Sequence, residues 1–264
     1  MRLKETNVRV LNPVVWPPKH TLFGVTVSAT DYEESARAVM AAAGRREGGV
    51  VTHLAVHALV TAARDASYRA KVNTFEVVAP DGQPVRWALN WFEKTALPDR
   101  VYGPELMVRL CRRAADVGVG VYLYGSKPAV VRSLRDKLLE RFPALRVVGC
   151  EPSAFRPLTP EEDGALVRRV NDSGAGLLFL GLGCPLQESF AYEHRRSIKA
   201  VQLCVGAAFD FHAGNKRMAP PWMQRGGLEW LFRLTQEPGR LWRRYLVTNA
   251  TFCLLFARRL VAGA

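Results

Sequence analysis

The residue best suited to acid–base chemistry is Asp81, which follows an apolar segment, Phe75 to Ala79, and starts an Asp81-Gly82 pair. A carboxylate held at the end of a buried strand can remove a proton from a hydroxyl group as a general base. An Asp-Gly pair is also common in β-turns. Taken alone, the position therefore favours a structural turn, and the choice between the two depends on its surroundings.

A second candidate is the segment Gly181 to Glu188, which follows a strongly apolar stretch and combines small residues with Gln187 and Glu188. Small residues at such a place let the backbone approach a phosphate or a ribose, and the start of a helix favours an anion. The glycine spacing matches neither a GxGxxG fingerprint nor a P-loop. The sequence therefore does not support a dinucleotide or ATP site of those types.

A third candidate is the segment Val205 to Gly214, which follows another apolar stretch and contains Asp210 and His212. These two side chains are able to form a polar pair. A single Asp and a single His among apolar residues are more often structural than catalytic, so this segment alone decides nothing.

The segment that begins at Lys216 differs in composition, because Arg and Trp dominate it and acidic residues are scarce. Arginine forms bidentate contacts with phosphates, and aromatic residues alternate with arginines around Trp230 and Trp242. This pattern on a helix is typical of a membrane interface. Two alternatives stay open: a solvated helix packed on the core through its aromatic side chains, and a nucleic-acid surface.

The elements that position these candidates follow from hydrophobic periodicity. The pattern predicts strands at 24–27, 50–52, 75–79, 119–124, 145–149, 177–182 and 200–205. It predicts helices at 31–43, 55–68, 103–117, 129–142, 160–171 and 187–195. Such alternation is typical of a mainly parallel sheet with both faces covered. We therefore predict an α/β, Rossmann-like fold with helices on both faces of the sheet and a basic helical C-terminal appendage.

We expect three parts along the chain: an N-terminal arm at 1–20, an α/β catalytic core at 21–215, and an Arg/Trp-rich membrane-associating segment at 216–264. In open α/β sheets, ligands bind beyond the carboxyl ends of the strands. Several predicted strands end close to a glycine or a polar residue. We therefore expect a shared crevice to be lined by Thr52, Asp81, Gly125, Gly183 and Gly206.

The charge balance points to an anionic partner. The chain has 264 residues, with 37 Lys and Arg against 24 Asp and Glu, and a formal net charge of +13. Such an excess attracts nucleic acid, anionic lipids or phosphorylated substrates. The five cysteines are scattered without a CxxC or Cys/His cluster, which argues against disulfides and against zinc.

The sequence also bears on location. No secretory signal is recognisable, and no apolar run reaches the roughly 18–20 residues that span a bilayer. We therefore expect a reducing, cytoplasmic setting.

Taken together, the candidate segments resemble the WecG/TagA/CpsF glycosyltransferase family from about Gly24 to Tyr245. The order of the motifs along the chain makes the resemblance specific. These motifs are Thr52 at a strand end, Asp81-Gly82, Arg100-Val101-Tyr102-Gly103, Tyr122-Leu123-Tyr124-Gly125, Phe142-Pro143-Ala144-Leu145, Gly183 to Glu188, Phe209 to Gly214, and Gly227 to Arg233.

The resemblance implies an inverting glycosyltransferase that moves a hexose or N-acetylhexosamine from a UDP-sugar to a polyprenyl-diphosphate-linked sugar. It implies no obligatory metal or other cofactor, and a peripheral location on the inner face of the plasma membrane. By the same resemblance Asp81 is the base, and Thr52 and Gln187 line the pocket. The C-terminal arginines implied to fold over the active site are Arg233, Arg240 and Arg243. The remaining substrate-binding candidates are His53, Arg100, Gly125, Gly183, Glu188, Gly206 and Asp210.

Elementary electrostatics agrees with a site that works without a metal. A UDP leaving group develops negative charge on its diphosphate, and arginines can neutralise this charge as a metal ion would. The sequence has no obvious DxD metal motif but has many arginines after Lys216. An arginine lid that closes at the membrane would also keep water away from the donor.

The sequence departs from the family pattern at the first strand end, where Thr-x-Asn is replaced by Thr52-His53-Leu54. Either His53 or His57 is then a candidate for the role of the missing Asn.

Two alternative functions stay open: a non-catalytic scaffold of a polysaccharide assembly complex, and a basic nucleic-acid-binding protein. No helix-turn-helix, RRM or KH signature supports the latter. A segment able to dock on its own core can also dock on a second copy, so a homo-oligomer is compatible with the sequence.

Overall fold

The structure is a computed structural model that describes residues 13–262. The strands are β1 (Lys19–Leu22), β2 (Val25–Ser28), β3 (Val50–Leu54), β4 (Val77–Pro80), β5 (Gly120–Gly125), β6 (Arg146–Glu151), β7 (Ala175–Gly181) and β8 (Val201–Cys204). The helices of the first half are α1 (Tyr32–Arg45), α2 (Val56–Arg64), α3 (Ala66–Val72), α4 (Gln83–Glu93) and α5 (Gly103–Val117). Those of the second half are α6 (Pro128–Arg141), α7 (Pro160–Asp172), α8 (Leu186–His194), α9 (Ala208–His212), α10 (Pro221–Arg225), α11 (Glu229–Gln236) and α12 (Pro238–Val261).

Six strands form one parallel sheet in the order β4-β3-β8-β7-β5-β6. The strands β1 and β2 form a separate antiparallel hairpin. The central strand β7 is buried along almost its whole length, which its apolar sequence requires when both faces of a sheet are covered. The predicted α/β, Rossmann-like fold is therefore confirmed.

Helices cover both faces of the sheet and so create two hydrophobic layers. One layer joins the sheet to α1, α5, α6 and α9. The other joins the sheet to α2, α3, α4, α7 and α8, and it includes the hairpin. The side chains of successive strand residues alternate between these two layers, so Thr52 and His53 point to opposite faces.

The structure differs from the predicted elements at several places. The helix predicted at 55–68 is two helices, because Asp65 ends α2 and caps α3 by accepting a hydrogen bond from the Tyr68 amide at 3.0 Å. Helix α4 was not predicted, although Pro84 in its first turn suits a helix start. Strand β1 begins at Lys19, inside the predicted arm, while residues 1–12 of that arm lie outside the described part.

The C-terminal segment packs against the core along α12, which runs beside α2 and buries Leu241 and Thr248. Farther along α12, Phe252 and Phe256 pack against two core rings, Phe23 at the hairpin turn and Phe92 on α4. Near the end of α12, Arg259 pairs with Glu93 of α4 and donates a hydrogen bond to the Thr21 carbonyl. None of the helices within residues 13–262 is long and apolar enough to cross a lipid bilayer.

Candidate active site

The carboxyl ends of the parallel strands hold most of the predicted site residues. Thr52 pairs in register with Cys204, two residues before Gly206, and Gly125 pairs with Gly181, two residues before Gly183. Asp81 directly follows β4, and its amide donates a hydrogen bond to the Leu54 carbonyl at 3.1 Å. The five predicted strand-end residues therefore lie at the same edge of the sheet, as the strand-end rule predicts.

The strand order separates Gly125 from Asp81. Strands β4 and β5 are four positions apart in the sheet, which corresponds to about 19 Å at the usual strand spacing. Asp81, Thr52 and Gly206 are carried by or follow the three neighbouring strands β4, β3 and β8. Gly125 is therefore at the far side of the edge, and its predicted binding role stays a prediction.

The segment between α4 and α5 brings Arg100 to Asp81. The Val101 amide donates to the Pro80 carbonyl at 2.9 Å, and this contact ties residues 99–102 to the end of β4. Arg100 Nη1 lies 4.0 Å from Asp81 Oδ1, and the Gly103 amide donates to Asp81 Oδ2 at 3.2 Å. Because Gly103 starts α5, the carboxylate also lies at the positive end of a 15-residue helix.

Burial raises the pKa of Asp81 from 3.8 to about 6. Arg100 lowers this pKa, Glu229 raises it, and the Gly103 amide and Arg233 lower it. The carboxyl group therefore titrates just below neutral pH. Above pH 6 it is mostly ionised and can accept a proton, which is the property that a general base requires near neutrality.

A hydrogen-bonded chain connects Thr52 with the turn after β7. Thr52 Oγ1 donates to Glu188 Oε1 at 2.9 Å, and Gln187 Nε2 donates to the same oxygen at 3.0 Å. Gln187 Oε1 accepts from the Gly183 amide at 3.2 Å. Gly206 lies so close that a Cβ atom added to it would be 3.2 Å from Gln187 Oε1. Four of the predicted residues are thus brought together with Thr52.

Glu188 is an unusual member of this chain, because it is only 1% exposed. Its Oε2 atom has no hydrogen-bond partner within residues 13–262. Burial raises the pKa of Glu188, while its hydrogen bonds with Gln187 and Thr52 lower it. An unpaired polar atom is costly to bury, which makes Glu188 Oε2 a candidate for a contact with a ligand.

The two histidines that compete for the missing Asn role lie in different surroundings. The His53 ring nitrogen Nδ1 lies 3.2 Å from the Cys204 carbonyl oxygen, and its Nε2 has no partner among the described residues. A Cβ atom added to Gly103 would lie 3.2 Å from the His53 ring. Burial lowers the pKa of His53 to about 4, so the ring is neutral at pH 7.

His57 lies in the first turn of α2, and its Nδ1 atom is also buried without a partner among the described residues. Burial and the nearby Arg244 lower the pKa of His57 to about 4. Leu54, which stands at the family's Asn position, is fully buried in the core. The structure places His53 against Gly103, which binds Asp81, whereas His57 lies toward Arg244.

Asp210 and His212 do not form the polar pair that the sequence suggested. His212 Nε2 donates to the Pro104 carbonyl at 2.9 Å, so the ring fixes the start of α5. The backbone carbonyl of Asp210 accepts from the amides of Asn215 and Lys216. Asp210 therefore shapes the turn after α9 through its backbone, and substrate binding by its side chain stays a prediction.

The three predicted lid arginines differ in their positions. Arg233 lies over the Phe211 ring, 5.8 Å from its centroid, and is close enough to Asp81 to lower its pKa. Arg240 pairs with Glu237. Arg243 lies over the Trp242 ring and is exposed. Only Arg233 is thus brought to Asp81.

Sequence reasoning missed three residues near the site. Arg244 is half-buried and lies beside His57 and Cys184. Glu229 and Tyr102 stand in the quoted motifs, but no role was assigned to them. Glu229 accepts hydrogen bonds from Arg100 Nη2 at 2.7 Å and from the Tyr102 hydroxyl at 2.9 Å. The sequence feature that could have identified Glu229 is its position, since an acidic residue is rare within the Arg-rich segment.

Within 13–262, no group of three or more His, Cys, Asp or Glu side chains is arranged to hold a metal ion. The positive charges at this edge come instead from arginines, namely Arg100, Arg233 and Arg244.

The strand-end site, the parallel sheet and the attached C-terminal helices all lie within the part of the chain that matches a known protein family. Residues 20–264 match the model described as "Glycosyl transferase WecG/TagA/CpsF family". The match covers nearly the whole chain and includes both the sheet and the Arg/Trp-rich segment. The chain therefore belongs to the WecG/TagA/CpsF family of glycosyltransferases, a family that acts in cell-surface polysaccharide synthesis.

Proposed function

We propose that this glycosyltransferase moves a hexose or N-acetylhexosamine from a UDP-sugar to a polyprenyl-diphosphate-linked sugar, with inversion at the anomeric carbon. The observation that carries the proposal is Asp81, a carboxylate at the carboxyl edge of the sheet with a pKa of about 6 and an arginine beside it. Such a group is ionised at neutral pH but still basic enough to take a proton in the transition state.

In the proposed reaction, Asp81 removes the proton from a hydroxyl group of the acceptor sugar. The hydroxyl oxygen then forms a bond to the anomeric carbon of the donor while the bond from that carbon to the diphosphate oxygen breaks. UDP leaves with the electron pair, and one displacement inverts the configuration. The proton stays on Asp81 until solvent or the leaving diphosphate accepts it.

The leaving diphosphate needs positive charge at the moment when its own charge grows. Arg233 lies near Asp81, and Arg244 is half-buried beside His57. Arg240 and Arg243 lie on α12 together with Arg244, and we propose that closure of this helix brings them to the diphosphate of the donor. These arginines are proposed to serve in place of a metal ion.

A second group of proposed substrate-binding residues is Thr52 on β3 with Gln187 and Glu188 at the start of α8. The unpaired Glu188 Oε2 is proposed to accept a hydrogen bond from a donor group of the bound sugar nucleotide. His53 is neutral and packed against Gly103, so it is proposed to act as a hydrogen-bonding group and not as a cation.

The acceptor's polyprenyl chain requires that the enzyme work at a membrane. Exposed apolar side chains on the C-terminal segment, among them Trp222, Trp242 and Leu246, are 61%, 48% and 65% exposed. Arginines lie among them on the same helices. Indole rings at the headgroup level and arginines at lipid phosphates suit peripheral binding to an anionic cytoplasmic leaflet.

The direct test is transfer from a panel of UDP-sugars to a synthetic polyprenyl-diphosphate-sugar in anionic vesicles, with and without EDTA. The proposal expects one donor to give a product of inverted configuration at a rate that EDTA does not change. Loss of transfer with EDTA, restored by a divalent cation, would contradict the role given to the arginines. A protein that binds the vesicles but transfers no sugar would favour the scaffold alternative.

A further inference from the structure

Arg100 is bound by two carboxylates that come from different parts of the chain. Its Nη1 lies 4.0 Å from Asp81 Oδ1 at the end of β4. Its Nη2 donates to Glu229 Oε2 at 2.7 Å on α11, and also to Gln224 Oε1 at 3.1 Å on α10. The side chain of Arg100 is only 7% exposed. One buried guanidinium therefore joins the proposed base to the C-terminal segment.

Glu229 is held firmly in this arrangement. Each of its carboxylate oxygens accepts one hydrogen bond, from Arg100 at 2.7 Å and from the Tyr102 hydroxyl at 2.9 Å. The Arg100 guanidinium also lies over the Tyr102 ring, 4.2 Å from its centroid. The contact of Arg100 with Glu229 is much shorter than its contact with Asp81. The guanidinium is thus bound more tightly by the C-terminal segment than by the base.

The charges that face Asp81 come from three directions. Arg100 and the Gly103 amide approach from the segment after α4, while Glu229 and Arg233 approach from α11. Tyr32 of α1 is nearby, and its hydroxyl accepts a hydrogen bond from the Tyr102 amide. Asp99 accepts from the Arg100 amide at 2.8 Å. Among these groups, Glu229 is the anion that directly competes with Asp81 for Arg100.

This competition has a chemical consequence. An arginine paired with a single carboxylate stabilises its ionised form and so makes it a weaker base. When the arginine is shared with a second carboxylate, the first one keeps more of its proton affinity.

We propose that Glu229 is a positioning residue that draws Arg100 away from Asp81, so that Asp81 becomes a sufficiently strong base only when α11 is docked on the core. The inference rests on the proposed function, in which Asp81 takes the proton of the acceptor hydroxyl. It adds that the C-terminal segment supplies an acidic group to the site in addition to its arginines.

The test is Glu229→Gln, which keeps the size and one acceptor oxygen but removes the competing charge. Asp81 then becomes the main charged partner of Arg100, and its pKa falls below about 6, while burial still holds it above the ordinary value. We expect the acid limb of the pH profile of kcat/KM to move in the same direction. The rate on the plateau falls as well, because a weaker base removes the proton less effectively.

Glu93→Gln is the matched control, because Glu93 also joins the core to the C-terminal segment, through Arg259, at the other end of α12. Loosening that contact should leave the acid limb unchanged. Tyr102→Phe keeps both charges and removes one donor from Glu229. It should move the acid limb of the kcat/KM profile slightly to higher pH, opposite to the shift expected for Glu229→Gln. It serves as the second variant if Glu229→Gln does not fold.

Carbon-13 NMR of the Asp81 carboxyl group, assigned with Asp81→Asn, measures the same pKa without any transfer assay. A fall of this pKa in Glu229→Gln supports the inference even if no donor is transferred, in which case the proposed function alone fails. An unchanged pKa in a folded Glu229→Gln protein overturns the inference. If that protein also transfers sugar with an unshifted pH profile, the proposed function stands without it.

Discussion

Gly125 and Gly181 face each other across strands β5 and β7 so closely that a Cβ atom added to Gly125 would lie 2.6 Å from the Gly181 carbonyl carbon. Gly125 also has a φ of 128°, in the region that side chains rarely adopt. Both constraints arise from the sheet itself. A glycine at the end of β5 is therefore required for packing, whatever its part in binding.

Gly125→Ala should consequently lower the free energy of unfolding by about 3 kcal/mol or more, since it combines backbone strain with a backbone clash. Gly118→Ala is the matched control, because Gly118 also has a positive φ of 73° but has nothing within 4 Å of the added atom. It should cost only about 1–2 kcal/mol. Urea unfolding of both variants checks this, and equal losses would show that the close approach is absent.

The stability of the protein should depend on pH through Asp81. Its pKa is raised by burial from 3.8 to about 6 in the folded state, so the folded protein prefers the protonated form. The stability from this preference is complete below about pH 4 and is lost as the pH rises to about 6. At about 1.4 kcal/mol per pKa unit, the loss amounts to about 3 kcal/mol.

Asp81→Asn resembles the protonated form at every pH. Its free energy of unfolding should equal that of the wild type near pH 4 and exceed it by up to about 3 kcal/mol above pH 7. Chemical denaturation at both pH values provides the measurement. A stability difference that stays constant between pH 4 and pH 7 would mean that Asp81 is not buried with a raised pKa.

Membrane binding should depend on the exposed side of α12. Leu246 is 65% exposed, and Leu246→Glu places a charge where the proposed function puts lipid. Losing a buried Leu costs about 1.5–3 kcal/mol, so affinity for vesicles that contain anionic phospholipid should fall at least about 10-fold. Sedimentation with such vesicles measures it, and binding should also weaken with added salt.

Val117→Glu is the control for this experiment, because Val117 is 68% exposed at the end of α5, at the opposite edge of the sheet. It should bind vesicles as the wild type does. Equal losses of vesicle affinity in the two variants would point to a general effect of charge. An unchanged affinity of Leu246→Glu would contradict the proposal that α12 binds the membrane.

Much of the fold could be predicted from local pattern. Apolar runs such as Leu177 to Leu182 identify buried strands, and the acidic first turn and Pro160 of α7 identify a helix start. The carboxyl-edge location of Asp81 and Thr52 follows from these elements alone. Pattern could not show that Asp65 ends α2 and caps α3, because an Asp is also tolerated within a helix.

The order of the strands in the sheet could not be predicted from the sequence, because an apolar strand does not indicate which neighbour it pairs with. The expectation of a single crevice therefore grouped Gly125 with Asp81, although four strand spacings separate them. The contact between Arg100 and Glu229 was equally hidden, since the two residues are 129 positions apart in the sequence. Such contacts depend on how α11 docks, which no local pattern records.

The measurement that tests the account most directly is sugar transfer by Asp81→Asn beside Asp136→Asn, as a function of pH. Asp136 is an exposed residue of α6 that pairs with Arg135, so its variant should transfer at the wild-type rate. The account predicts that Asp81→Asn folds normally and loses about 10²–10⁴-fold in turnover, the usual effect of removing a general base. It also predicts that wild-type kcat/KM rises with pH through about 6. Near wild-type turnover by Asp81→Asn would contradict the account and leave Asp81 as part of a structural turn.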